Sequence, residues 1–286
     1  MADLLALSAK VVDSGVADGP VNRTTGELSE VADGLCMVES FSHTVAWDSG
    51  DGLVCFDASH VNTGAAIVSE LQKWRPGRIN TLVYTHGHID HVGGSGAFAA
   101  HNTGNGHAPL RVVGHENVQR RFDRYRSTEA WNILINARQF GGVRDDLGMT
   151  NDLRPAGGGK RLPFFLPPDT ADVSDVVGDF SSMTFGGETI EFHHGKGETD
   201  DHLWSWFPDK KWVATGDFVI WNFPNAGNPQ KVQRWPIEWA QTLRRIAAKE
   251  PELLLPAHGL PIAGKERIAR VLNEIATALE NLVRDV

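Results

Sequence analysis

Four side chains able to bind a metal cation, His86, His88, Asp90 and His91, fall within six consecutive residues, in the run Thr85-His-Gly-His-Ile-Asp-His-Val-Gly-Gly94. Imidazole and carboxylate suit zinc, and also iron or manganese. Four donors this tightly spaced cannot easily converge on one ion with good geometry, which points to two ions. A solvated polar loop would give the same composition, but 12 histidines among 286 residues rarely fall at such spacing.

Something must hold that loop. It follows a β-rich run at 79–84 and precedes small-residue helical text at 95–100. Upstream, strands at 44–47 and 53–57 are joined by Asp-Ser-Gly-Asp-Gly, a hairpin signal, and 64–74 has apolar residues at helical spacing. A strand at 110–113 leads into helix-compatible text over 116–139, then a Gly/Pro-rich loop over 141–168. A second set of strands is read at 173–177, 182–185, 189–193, 203–207 and 212–215. A helix opened by proline (236–249), a strand (253–256) and an amphipathic helix (264–286) complete the chain, while residues 1–34 read as an irregular arm. Both halves pass through strands to a polar loop and then a helix, with no linker between them. This predicts an α/β fold, a four-layer αββα sandwich, as a single domain over 1–286, with 116–170 an excursion near the active site.

The composition is that of a globular chain: 41% hydrophobic and 22% charged residues. Acidic residues outnumber basic ones, 36 to 27, for a net charge of −9, which argues against nucleic acid and membrane surfaces as partners. A small-molecule substrate is expected, with a homodimer the oligomer considered. The two cysteines, Cys36 and Cys55, sit in apolar strand text and read as buried free thiols in a reducing compartment. No apolar run is long enough to span a bilayer and no secretory leader is read, so a cytoplasmic location is expected.

The motif H-x-H-x-D-H at the end of a strand resembles the mark of the metallo-β-lactamase superfamily, whose fold is the αββα sandwich. The resemblance runs from about Leu53 to Gly264, and five parts follow in the family's order. They are Phe56-Asp57-Ala58-Ser59, the histidine loop, Gly195-Lys-Gly-Glu198-Thr-Asp-Asp-His202, Thr215-Gly216-Asp217 and Pro256-Ala257-His258-Gly259. The third part carries Glu198 where most of the superfamily has histidine. The alkylsulfatase branch is similar in this respect, and the chain is read as resembling that branch. The resemblance implies two divalent metal ions, zinc first, with iron or manganese as alternatives. His86, His88 and Glu198 would hold one, and Asp90, His91 and His258 the other, with Asp217 bridging. It further implies a hydrolase in which a metal-activated water, served by Asp90 and Asp217, cleaves a sulfate ester, with attack at sulfur or at carbon. Two features depart from the branch: it has glutamate at the position of Asp217, and its accessory domains do not appear in this text. The chain stops within helical text, as a piece of a longer protein would. Alternative substrates are a lactone, carboxylic ester, thioester or β-lactam. A mononuclear iron oxygenase and a non-catalytic metal-binding module rank lower.

Asp57 is expected to orient a ligand histidine, or else to cap a turn. His193 and His194 compete with Glu198 as ligand, and His202 is read as facing the substrate or as an ordinary surface or packed histidine. An anionic group would want arginine. Arg121, Arg124, Arg138, Lys231 and Arg234 are the candidate cations, Asn222, Asn225 and Asn228 the polar lining, and Trp221, Phe223 and Trp235 an apolar wall. His43, His60, His101, His107 and His115 are read as structural or exposed.

Overall fold

The middle strands are apolar at almost every position because each is covered on both faces. In β4 (Leu53–Phe56), Leu53 and Cys55 point to one core and Val54 and Phe56 to another. A computed structural model of the chain describes residues 2–139, 164–227 and 232–286. Its first sheet runs β1 (Leu28–Ala32), β2 (Leu35–Val38), β3 (Thr44–Asp48), β4, β5 (Ile79–Val83), β6 (Arg111–His115) and β7 (Asp175–Val177), in that spatial order. It is antiparallel from β1 to β4 and parallel from β4 to β7.

The second sheet is built of β8 (Phe180–Phe185), β9 (Glu188–His194), β10 (Leu203–Phe207), β11 (Trp212–Gly216), β12 (Leu253–Pro256) and β13 (Ile262–Ala263), ordered 13-12-11-10-9-8. All its pairings are antiparallel except β11 with β12. The sheets meet through Met37, Val54, Val83, Phe192 and Leu203. On the outer face of the first sheet, α2 (Gly64–Trp74), α4 (Ser95–Gly104) and α5 (Glu116–Ser127) bury Leu71, Phe98 and Phe122. On that of the second, α7 (Pro236–Ala248) and α8 (Lys265–Asp285) bury Trp239, Leu243 and Leu272. Each such side chain contributes about 1.5–3 kcal/mol of transfer free energy. The expected αββα layering is what these cores describe. Cys36 and Cys55 are free and buried, flanking Ala46, and burial pushes both thiols up. Among the described residues no helix is long and apolar enough to cross a membrane.

Two expectations are corrected. Residues 1–34 are not an irregular arm. Asp3 accepts from the Ala6 N–H at 2.9 Å to start α1 (Leu4–Ser14), Gly15 ends it at φ 70°, and β1 follows. Asp13 of α1 is clamped by Arg267 of α8 at 2.7 Å, a partner at the far end of the chain. The helical text over 116–139 breaks at Thr128, whose hydroxyl bonds the Arg124 carbonyl at 2.6 Å, so α6 (Glu129–Gln139) is a separate helix. The two-residue β13 was not foreseen. The expected loop over 141–168 lies largely outside the described residues.

The strands β4 and β5 of one sheet and β9, β11 and β12 of the other all end at the same rim of the sandwich. Every segment the sequence singled out for chemistry begins there.

Candidate metal centre

At the end of β4, Asp57 takes up φ 59° and its carboxylate ties that strand to the next. Oδ1 accepts from the Thr85 N–H and Oδ2 from the Thr85 hydroxyl, each at 2.8 Å. Oδ2 also lies 2.7 Å from His91 Nδ1, and Ser42 Oγ lies 3.1 Å from the same nitrogen. His91 sits in the one-turn helix α3 (Ile89–Val92), whose N-cap is His88. The loop is also pinned from the other sheet: Asp201 Oδ2 accepts from the Gly87 N–H at 2.9 Å and from Arg121 Nε at 2.8 Å. His258 gives its Nδ1 proton to the Phe41 carbonyl at 2.6 Å. Asp217 follows Gly216, which holds φ 51° and leaves no room for a side chain. A Cβ there would come within 2.5 Å of His202 Nε2 and 2.6 Å of Thr85 Cβ.

These anchors bring the seven expected residues into two adjacent groups, His86, His88, Glu198 and Asp217 in one, and Asp90, His91 and His258 in the other; within each, one donor atom per residue lies within 4.8 Å of the rest. Asp217 faces both groups. Its Oδ2 is 3.7 Å from His86 Nε2 and 3.4 Å from His91 Nε2, and its Oδ1 is 3.5 Å from His258 Nε2. Asp90 Oδ2 is 3.5 Å from His91 Nε2 and 3.3 Å from His258 Nε2. His91 Nε2 and Asp217 Oδ1 are buried with no hydrogen-bond partner among the described residues. Orphaned buried atoms are costly unless something pairs with them. Four imidazoles and three carboxylates converging from four segments of the chain fit two divalent cations in donor type and charge.

The electrostatics agree. Burial, reinforced by His91 for His86 and by Arg121 for His88, holds both imidazoles well below their ordinary range, so they are neutral donors. Burial opposes charge on Asp90, but His91 and His258 overcome it and keep the carboxyl well below its usual range. Burial also opposes charge on His91, yet Asp217, Asp90 and Asp57 around it raise it well above 6.5. A proton and a cation therefore compete for the same nitrogen.

Above the two groups opens a cleft of about 540 Å³, with His88, Asp90, Glu198, Asp217 and His258 in its lining. Asn222, Asn225, Arg124 and Arg234 line it as well. Arg234 Nη1 donates to the Glu198 carbonyl at 2.6 Å and is also 2.6 Å from Glu198 Oε1, while its Nε has no partner among the described residues. Burial, with Arg121 nearby, lowers Arg234 to about 10. Arg121 is committed to Asp200 and Asp201.

Other expectations fall elsewhere. His202 does not face the cleft: it lies buried behind Asp217, accepts that residue's N–H at 3.1 Å and stacks on Phe218 at 4.1 Å. Burial holds it near 3, hence neutral. His193 stacks on Trp204 and bonds Glu191, and His194 stacks on His115, so neither joins a group. The apolar wall comes from Trp131, Ile135, Phe165, Ile220 and Val232, not from Trp221, Phe223 or Trp235. Trp221 donates its N–H to the Leu260 carbonyl instead. Asn228, Lys231 and the Arg138 side chain lie outside the described residues. The reading missed Thr85 and Asp201 as anchors and His60 as a lining residue. The only signal for the first two was adjacency to the ligand motifs.

The sequence pattern of the metallo-beta-lactamase superfamily matches residues 40–258. The linear primary-alkylsulfatase of Pseudomonas sp. is 23% identical over 239 residues, which is 81% of this chain and 44% of that protein. Among solved structures, the stereoselective inverting sec-alkylsulfatase Pisa1 from Pseudomonas sp. matches with a TM-score of 0.70 at 17% identity, over 91% of this chain and 43% of that one. A metallo-beta-lactamase from Pontibacter korlensis matches with a TM-score of 0.56 at 16% identity, over 89% and 99% of the two chains. The chain thus spans less than half the length of the alkylsulfatases it matches.

Proposed function

This chain belongs to the metallo-β-lactamase superfamily, and on that premise we propose that it is a dinuclear metal-dependent hydrolase that cleaves the sulfate ester of an alkyl sulfate. The observation that carries this reading is the placing of Glu198, with Arg234 against it, in the first group of donors. It is supported by the likeness to proteins described as alkylsulfatases.

In this reading His86, His88 and Glu198 hold one divalent cation and Asp90, His91 and His258 the other, with Asp217 shared. Zinc is the cation proposed, and the donor set also admits iron or manganese. When bound, such a pair acidifies water and stabilises negative charge growing on a leaving oxygen. The chain's own residues do the rest. Asp57 and the Phe41 carbonyl fix the His91 and His258 rings by their far nitrogens. Asp90 and Asp217, the catalytic carboxylates, set the charge and spacing of the two sites. Arg234 brings its guanidinium charge to the wall of the cleft for the anion, and Asn222, Asn225 and Arg124 complete the polar side of the cleft. Trp131, Ile135 and Phe165 give the alkyl group a surface shielded from water.

The test is inorganic sulfate release from a panel of primary and secondary alkyl sulfates by metal-loaded protein, beside a chelated control. Chelator-sensitive release is expected. No release, with turnover of a lactone, carboxylic ester, thioester or β-lactam instead, would replace the sulfate ester and keep the hydrolase.

A further inference from the structure

The superfamily match begins at residue 40, yet a residue well ahead of it reaches the second group of donors. Asn22 Nδ2 donates to the Phe41 carbonyl at 3.2 Å, and Asn22 Oδ1 accepts from the Gly259 N–H at 2.9 Å. The Phe41 carbonyl is the acceptor that fixes the His258 ring through Nδ1, at 2.6 Å. Gly259 is the next residue after His258. One amide therefore clamps the acceptor and the backbone of the same ligand histidine, and it also lines the cleft.

The clamp is itself anchored. Arg23 and Thr25, on the same stretch, both bond the carboxylate of Glu39, which is 1% exposed. The backbone around Glu39 pairs with Gly26 and Glu27 at 2.9 Å. Residues 22–27 are thus fastened along the segment that leads to Phe41, and Asn22 is held in register with the Phe41 carbonyl rather than resting on it.

We propose that Asn22 is a positioning residue for the second cation, acting through His258. This rests on the two-cation reading above. A carbonyl that orients a metal-bound imidazole works only while it is itself held, and loss of such outer partners weakens metal affinity roughly 10- to 100-fold. Without Asn22 the Phe41 carbonyl keeps a single donor, the Gly259 N–H is left with His43 Nε2 at 3.2 Å, and His258 is held less firmly beside Asp90 and Asp217.

The experiment is a Zn2+ titration of the full chain against a chromophoric chelator, for wild type, Asn22→Ala, Asn22→Asp and Thr25→Ala. Two equivalents in the wild type support the two-cation reading, and fewer than two would refute that reading rather than the role of Asn22. Given two, Asn22→Ala should weaken the second equivalent roughly 10- to 100-fold and leave the first unchanged. Asn22→Asp keeps the acceptor for Gly259 but loses the donor to Phe41, and should fall between, without loss of fold. Thr25→Ala loosens the anchor at Glu39 but keeps both Asn22 bonds, so it should weaken the second equivalent less than Asn22→Ala does. Melting of the chelated proteins reports the fold. Unchanged second-equivalent binding in both Asn22 variants would overturn the proposal. So would equal weakening of both equivalents in Asn22→Asp alongside a lower melting temperature, the mark of a merely structural arm.

Discussion

Arg234 Nη1 lies 2.6 Å from Glu198 Oε1, and the two side chains are only 4% and 11% exposed. A carboxylate at this position brings its own counter-ion, which the histidine usual in the superfamily would not need. Removing one partner of a buried pair leaves the other uncompensated. Glu198→Gln keeps the shape but removes the charge, so the first equivalent of bound metal should weaken by about 10-fold or more. Glu198→His restores a neutral donor but strands Arg234, and should lower activity without abolishing it. Metal per chain by elemental analysis, with kcat, checks both. Wild-type metal content and turnover in Glu198→Gln would show that Glu198 is no ligand.

Among the described residues Asp217 is the one carboxylate whose oxygens face both groups, Oδ2 towards His86 and His91 and Oδ1 towards His258. Asp217→Asn preserves volume and backbone but loses the shared charge. Turnover should fall by roughly 1,000-fold or more, with the melting temperature of the chelated protein not lowered. Near-wild-type kcat would sink the dinuclear mechanism.

What could be read in advance divides along sequence distance. The histidine loop was legible because four donors lie within one short segment. The central strands were legible because burial on both faces leaves a continuous apolar run, as in Leu53–Phe56. The late donors Glu198, Asp217 and His258 were reached through the order of motifs, not through local pattern. Helix α1 escaped because part of what it packs against, β13 and Arg267 of α8, lies at the far end of the chain, the Arg267–Asp13 bond joining residues 254 apart. The Arg121–Asp201 pair, 80 residues apart, joins two segments whose contact no local period reports. The cleft wall was assigned to the aromatics after Asp217 because they stand near a ligand in sequence. It is formed instead by Trp131 and Ile135 of α6 with Phe165, which only the packing brings there, and by Ile220 and Val232 rather than the aromatics of the stretch after Asp217.

Gly216 offers a test of how the bridging residue is aimed. Its φ of 51° is one that side chains disfavour, and a Cβ would strike His202 and Thr85 together. Those two residues place Asp217 and Asp57 respectively. Gly216→Ala should therefore cost about 1–3 kcal/mol of stability. It should also reduce metal content, while an alanine at the exposed Gly19, where nothing lies within 4 Å, should do neither. Thermal melting and elemental analysis read the two effects. A Gly216→Ala protein with wild-type metal content would mean that the Gly216 turn does not set the Asp217 carboxylate.

His115 predicts an acid limit to the fold that is separate from metal release. It ends β6, caps α5 by accepting the Asn117 N–H at 3.2 Å, and stacks on His194 with ring centroids 3.9 Å apart. Burial, and then the neighbouring His194, lower its pKa from 6.5 to about 4. The folded chain thus keeps His115 neutral where the unfolded chain protonates it. Between pH 6.5 and about 4 the unfolded state binds more protons, so this group's stabilisation is whole above 6.5 and drains away as pH falls towards 4. Its ceiling is about 3 kcal/mol. His115→Asn retains an acceptor for the cap and cannot titrate. Melting temperatures of the two chelated proteins across this range should diverge, the variant's profile being flatter, because His43, His60 and His202 shift in the same direction in both. Parallel profiles would show that the stacked pair carries no proton-linked stability.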